Sequence, residues 1–147
     1  MRARDLIIDL PVLDLNASVG DAVRLLAERD LPGLIVVGDD GSPYTVLPGT
    51  EVLRLAVPHH FQVDPNLVRV VDEAGSDDFP HRMSGRPLRA CLSARPGNLP
   101  ICGPDATTLQ LAVLMTRTRS PLVAVVEGGR LLGALTLNTL LEGTLAA

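Results

Sequence analysis

Residues 127–143 read EGGRLLGALTLNTLLEG. A strand pair turns at glycine, and its second strand runs through Gly133-Ala134-Leu135-Thr136 into a helix. Such a junction has two uses. The first turn of a helix carries unpaired N–H groups and partial positive charge, so a phosphate can settle there with a threonine hydroxyl as a further donor. Alternatively, Thr136 only caps the helix. Arg117 and Arg119 stand just before Pro121. Their guanidinium groups match phosphate geometry, but they also suit a solvated helix C-terminus, where positive charge is favoured. His59, His60 and His81, with Asp72, Glu73, Asp77 and Asp78, raise the question of a metal. Adjacent histidines diverge on any regular backbone, and no H-x-x-x-H or H-E-x-x-H spacing occurs. The plainer reading is a solvated charged face, and no metal site is expected. Cys91 and Cys102 have no C-x-x-C spacing. No histidine adjoins Cys102 in PICGPD to activate it as a nucleophile. A small buried hydrophobe is expected there, and no enzymatic activity is expected of the chain.

Composition narrows the function classes. The chain has 147 residues, 46% of them hydrophobic, and a formal charge of −4. That suffices for one ordinary domain or two small intertwined units. All 13 basic residues are arginine. Without lysine there is no Walker-type phosphate loop and no Schiff-base chemistry. Tyr44, Phe61 and Phe79 are the only aromatic residues, too few for base-stacking platforms. The acidic balance also disfavours the phosphate contacts of DNA binders. No nucleic-acid partner is expected. Asp5, Asp9 and Asp14 interrupt the N-terminal apolar residues, so no signal-type stretch forms. No run approaches the roughly 18 apolar residues of a membrane span. A cytoplasmic protein without membrane contact is expected.

The elements that must position these residues come as a repeat. SVGDAVRLLAERDLPGLIVVGDDGSPYTVLPGTEVLRL (18–55) aligns with TLQLAVLMTRTRSPLVAVVEGGRLLGALTLNTLLEGTL (108–145). Ala22-Val23 falls on Ala112-Val113, Val36-Val37 on Val125-Val126, Gly41 on Gly129, Leu47 on Leu135 and Leu53 on Leu141. The offset runs 90, then 89, then 88, with both slips assigned to turns, where loops absorb length changes. Each copy starts with a short strand, around 11–15 or 99–102. An amphipathic helix follows, with Val19, Ala22, Val23 and Leu26 on one face of the first. Ser18 with Asp21, and Thr107 with Gln110, form capping pairs. The runs Leu34-Ile35-Val36-Val37 and Leu122-Val123-Ala124-Val125-Val126 suit strands buried on both faces. Glycine turns at 38–41 and 128–129 lead through another strand to a closing helix, 49–56 or 137–145. The unit is β-α-β-β-α, twice. The helix beginning at Thr108 is apolar nearly all round, which predicts burial against the other copy or a second chain.

This doubled unit resembles the cystathionine-β-synthase (CBS) domain pair, or Bateman module, over roughly Arg4 to Leu145. The motif that carries the likeness is DATTLQLAVLMTRTRSPLVAVVEGGRLLGALTLNTLL: a threonine-led helix, paired valines, a glycine turn, then glycine-x-x-threonine before a helix. The resemblance implies an α/β (α+β) fold of two pseudo-symmetric repeats packed through their sheets. It also implies a cleft between them that takes AMP, ADP, ATP or S-adenosylmethionine as a regulatory ligand, with a homodimer and a partner protein. By that likeness Gly133 and Thr136 hold the glycine and phosphate-side hydroxyl positions. Thr139 stands where the ribose carboxylate would be. In the first copy Thr45, Pro48 and Glu51 correspond. Proline supplies neither N–H nor hydroxyl, while Glu51 can still accept from a ribose. Val123, Ala124 and Arg119 complete the candidate ligand set. A cleft that has lost its ligand and serves only packing or protein contact is the alternative.

The expected division is a first repeat at 1–57, a linker with an inserted helix at 58–87, and a second repeat at 88–147. Asp64-Pro65 starts that helix, Leu67, Val68, Val70 and Val71 give it an apolar stripe, and Gly75 stops it. The expected span is about 65–74, crossing between the halves.

Overall fold

The computed structural model describes residues 1–92 and 99–146. Two three-stranded sheets are each built from one parallel and one antiparallel pairing. In the first repeat β1 (Val12–Asp14) runs parallel to β2 (Gly33–Val37), which pairs antiparallel with β3 (Pro43–Pro48). α2 (Val19–Arg29) connects β1 to β2, and α3 (Gly49–Ala56) follows β3. In the second repeat β4 (Ile101–Cys102), α8 (Thr108–Thr118), β5 (Leu122–Glu127), β6 (Arg130–Thr136) and α9 (Leu137–Ala146) repeat the plan. The two long helices start on the expected capping boxes, Ser18 with Asp21 and Thr107 with Gln110. Both hairpins turn on glycines at positive φ, Gly41 in the first and Gly128 with Gly129 in the second. Glycine, which has no Cβ, enters that region at no steric cost.

Capping geometry fixes the repeat register more tightly than residue identity does. Ser18 matches Thr107, both helices span 11 residues, and the left-handed residues Asp30 and Arg119 close them. The offset is therefore 89 through helix and central strand, and the single slip lies in the hairpin. The alignment of Ala22 with Ala112 is corrected: Ala22 matches Leu111, and both are buried.

Among the described residues three apolar clusters form the core. One lies within each repeat. The third is the seam, where Ile35 and Val46 of the first sheet meet Leu122, Ala124 and Ala134 of the second. Sheet-to-sheet burial of these β-branched and small residues joins the halves.

Two short segments change sides. α1 (Ala3–Leu6) packs in the second repeat, with the Ala3 N–H donating to Ala106 O and the Arg4 N–H to Pro104 O. α7 (Leu88–Cys91) packs in the first, with the Leu88 N–H donating to Ala17 O and the Arg89 N–H to Leu15 O. The exchange is itself pseudo-symmetric, and ion pairs accompany it: Arg4 with Asp105, Arg89 with Asp39.

The segment between the repeats is not one helix. α4 (His59–Val63), a 3₁₀ turn (Pro65–Val70), α5 (Glu73–Asp77) and α6 (Phe79–Met83) succeed one another. Asp64 caps the 3₁₀ turn at Asn66, but Asp72 starts a new helix by accepting from the Gly75 N–H at 2.7 Å. Gly75 thus lies inside a helix instead of ending one. The insertion does not cross between the halves: α6 packs on α2 and α3 of the first repeat. The outer face of α8 is likewise uncovered within this chain, with Leu109 73% and Val113 51% exposed. Burial against the other copy, one of the two expectations for that helix, is not what this chain does.

Candidate functional site

A cavity of about 450 Å³ opens between the repeats. Asp30, Leu31 and Pro32 enter it from the α2–β2 turn. Pro121, Thr136, Leu137 and Asn138 enter from the second repeat, and Ile8 and Leu10 from the N-terminal segment. Each wall has a local cause. The left-handed C-caps throw the chain sharply from helix to strand, which aims Asp30-Leu31-Pro32 at the opposite sheet. The exchange of α1 carries Ile8 across the end of β6, where it forms an antiparallel bridge with Ala134.

The start of α9 is self-satisfied. The Thr139 N–H donates to Thr136 Oγ1 at 3.2 Å, and the Thr136 N–H donates to Thr139 Oγ1 at 2.9 Å. The Thr139 hydroxyl in turn donates to Thr136 O at 2.9 Å. The Leu137 N–H is held by Pro121 O at 2.9 Å. Thr136 and Thr139 are thus a reciprocal cap, and most of the anion-binding capacity of this helix end is spent internally.

Gly133 is a close-approach glycine. A Cβ there would lie 2.5 Å from Ile7 Cγ2 and 3.3 Å from Ile8 O. Its absence lets the N-terminal segment lie across β6. Val123 and Ala124 are closed to solvent, Val123 in the core of the second repeat and Ala124 in the seam. The Ala124 N–H is bonded to Pro100 O at 3.0 Å. Arg119 is exposed at the left-handed cap of α8.

Glu51 stands apart, in a second cavity of about 350 Å³ lined with Tyr44, Thr45 and Arg54 among others. Its carboxylate accepts from Arg54 Nε at 3.0 Å and pairs with Nη2 at 2.7 Å. Pro48 caps α3 without a side-chain bond, and the Gly49 N–H goes to Pro32 O at 3.0 Å, the counterpart of the Leu137–Pro121 bond. Thr136 and Glu51 therefore belong to different cavities.

Asp30 escaped the sequence reading. The signal was present: with the helices matched at 89, Asp30 falls on Arg119, so pseudo-equivalent caps carry opposite charges. Among the described residues no cluster of His, Cys, Asp and Glu is placed to hold a metal ion, and no helix is long and apolar enough to cross a membrane. Burial pushes the Cys102 thiol up to about 11, so it is not a thiolate nucleophile near neutral pH.

The family model described as CBS domain matches the chain twice, at residues 3–54 and 95–145. A CBS domain-containing protein of unknown function from Kribbella flavida is 42% identical, with 99% of both chains covered and a TM-score of 0.78. A protein crystallised as CBSX2 in complex with AMP is 21% identical, covering 99% of this chain and 96% of that one, at a TM-score of 0.69. A CBS domain pair/ACT domain protein from Thermotoga maritima is 16% identical, covering 99% and 98%, at 0.67. No curated protein matches the chain. Two family matches, on two repeats that share one sheet-to-sheet seam, place the chain in the CBS domain family, as a CBS domain pair.

Proposed function

We propose that the chain is a regulatory module without catalytic activity. It binds an adenosine compound (AMP, ADP, ATP or S-adenosylmethionine) in the inter-repeat cavity and signals its occupancy to a partner protein. The observation that carries this reading is the cavity of about 450 Å³ whose walls come from both repeats. A ligand there touches both halves at once, so its binding energy can bias their relative packing. The AMP held by CBSX2 supports the adenosine class. A homodimer belongs to the proposal. Leu109 and Val113 leave an apolar stripe on α8, and Leu137, Leu141 and Leu145 leave one at i, i+4, i+8 on α9. Patches of that kind mark interaction surfaces.

The alternative is an interaction module whose cleft has lost its ligand. The internal use of Thr136, Thr139 and Glu51 favours it. Thermal unfolding with each adenosine compound at millimolar concentration separates the two. A ligand at about 100 times its dissociation constant adds roughly 2.7 kcal/mol, a rise of about 5–10 °C for a chain of this size. Thr136→Ala should reduce that rise more than Glu51→Ala, because only Thr136 lines the inter-repeat cavity. No rise with any of the four compounds leaves the interaction module as the function.

A further inference from the structure

We propose that Asp30 makes the inter-repeat cavity selective for adenosine compounds whose head group is neutral or cationic, and that phosphate-bearing ones are disfavoured there. The proposal rests on the cleft reading above. Asp30 is the only ionisable residue among those lining the cavity. Among the described residues it forms no ion pair, so its charge is left for whatever enters. The start of α9, which would otherwise favour an anion, has committed three of its first four amides, those of Thr136, Leu137 and Thr139, and keeps only that of Asn138.

The position is also one where a carboxylate is locally unfavourable. Asp30 closes α2 at φ 51° and ψ 51°, so its negative charge sits at the negative end of the helix dipole. Arg119, at φ 53° and ψ 39° on the pseudo-equivalent cap, has the favourable sign. The helix dipole favours the arginine, while the left-handed backbone suits the aspartate. A cationic sulfonium or ammonium group gains from Asp30, and a ribose diol can donate to it. A phosphate meets a like charge, and no cationic residue is among those lining the cavity.

The test is an NMR titration of the full chain with adenosine, AMP, ATP and S-adenosylmethionine, following the amides of Leu31, Thr136 and Leu137 as reporters of this cavity. Adenosine and S-adenosylmethionine should bind about tenfold more tightly than AMP, the scale of one like charge a few ångströms away in a water-accessible site. Asp30→Asn keeps a residue that tolerates the left-handed region. It should strengthen AMP binding about tenfold and weaken S-adenosylmethionine binding by a similar factor. AMP binding at these amides as tightly as adenosine, or an AMP affinity unchanged in Asp30→Asn, overturns the charge selection and leaves the cleft reading standing. If none of the four compounds moves these amides, the cleft reading fails and this proposal goes with it.

Discussion

Replacing Gly133 by alanine tests whether this glycine serves packing. The added methyl would lie 2.5 Å from Ile7 Cγ2 and 3.3 Å from Ile8 O. Ile7 Cγ2 is bonded directly to a branched Cβ, so it cannot swing away as the end of a long side chain could. Either the N-terminal segment lifts or β6 shifts. Overpacking of this kind costs about 1–3 kcal/mol. Removing a glycine from the unfolded chain returns about 0.4–1 kcal/mol. A contact of 2.5 Å puts the packing cost in the upper part of that range, so it wins, and a net loss of about 1–2.6 kcal/mol lowers the melting temperature by about 2–10 °C. Circular dichroism melts of Gly133→Ala, Ile7→Ala and the double variant measure it. In the double variant the new methyl fills space vacated by Ile7, so the two losses should fall short of additivity by about 0.5–3 kcal/mol. A Gly133→Ala protein as stable as the native one, or strictly additive losses, would refute the crossing of the N-terminal segment over β6.

Leu88→Ala deletes a side chain fully buried in the first repeat's core. It should cost about 2–5 kcal/mol, with chemical denaturation as the assay. A loss below about 0.5 kcal/mol, the scale of a surface substitution, would mean that α7 does not pack there. Exposed Arg4→Ala should cost no more than about 1 kcal/mol despite its ion pair with Asp105, because solvent screens such pairs. A larger loss in the same assay would contradict that. Cys102, studied in a Cys91→Ser background, should alkylate slowly at pH 8 and faster as pH rises towards about 11. Its folded pKa lies above the unfolded value. The stability it contributes is thus complete below the unfolded pKa and is lost as pH rises through the folded one. Rapid alkylation at pH 8 would show that Cys102 is not shielded.

What was legible in the sequence was what is local. Ser18 with Asp21 and Thr107 with Gln110 announce helix starts because a capping box needs only residues three apart. Gly41, Gly128 and Gly129 announce hairpins because a turn at positive φ favours glycine. The β-branched runs announce strands closed on both faces, and doubling them implies the seam. The exchange of α1 and α7 was hidden, since Ala3 and Leu88 find their partners in the opposite repeat and no short pattern encodes that. The insertion was misread for a local reason. Asp72 competes for the backbone and begins a new helix three residues before Gly75, so a glycine that resembles a stop sits within a turn. Among the candidate site residues, Thr136 and Glu51 were placed on the correct kind of junction. Their separation into two cavities depends on which helix faces which sheet. Asp30 was masked by matching Ala22 to Ala112, which shifts the first helix by one residue and hides the opposed charges at the two caps.

Regulation through the seam between the repeats requires that the inter-repeat cavity be occupied. A crystal structure grown with saturating S-adenosylmethionine tests it most directly. The prediction is ligand density between Asp30-Leu31-Pro32 and Thr136-Leu137-Asn138, with the sulfonium end towards Asp30. A cavity filled by water alone at saturating ligand, or a ligand seated only beside Glu51 and Arg54, would contradict it.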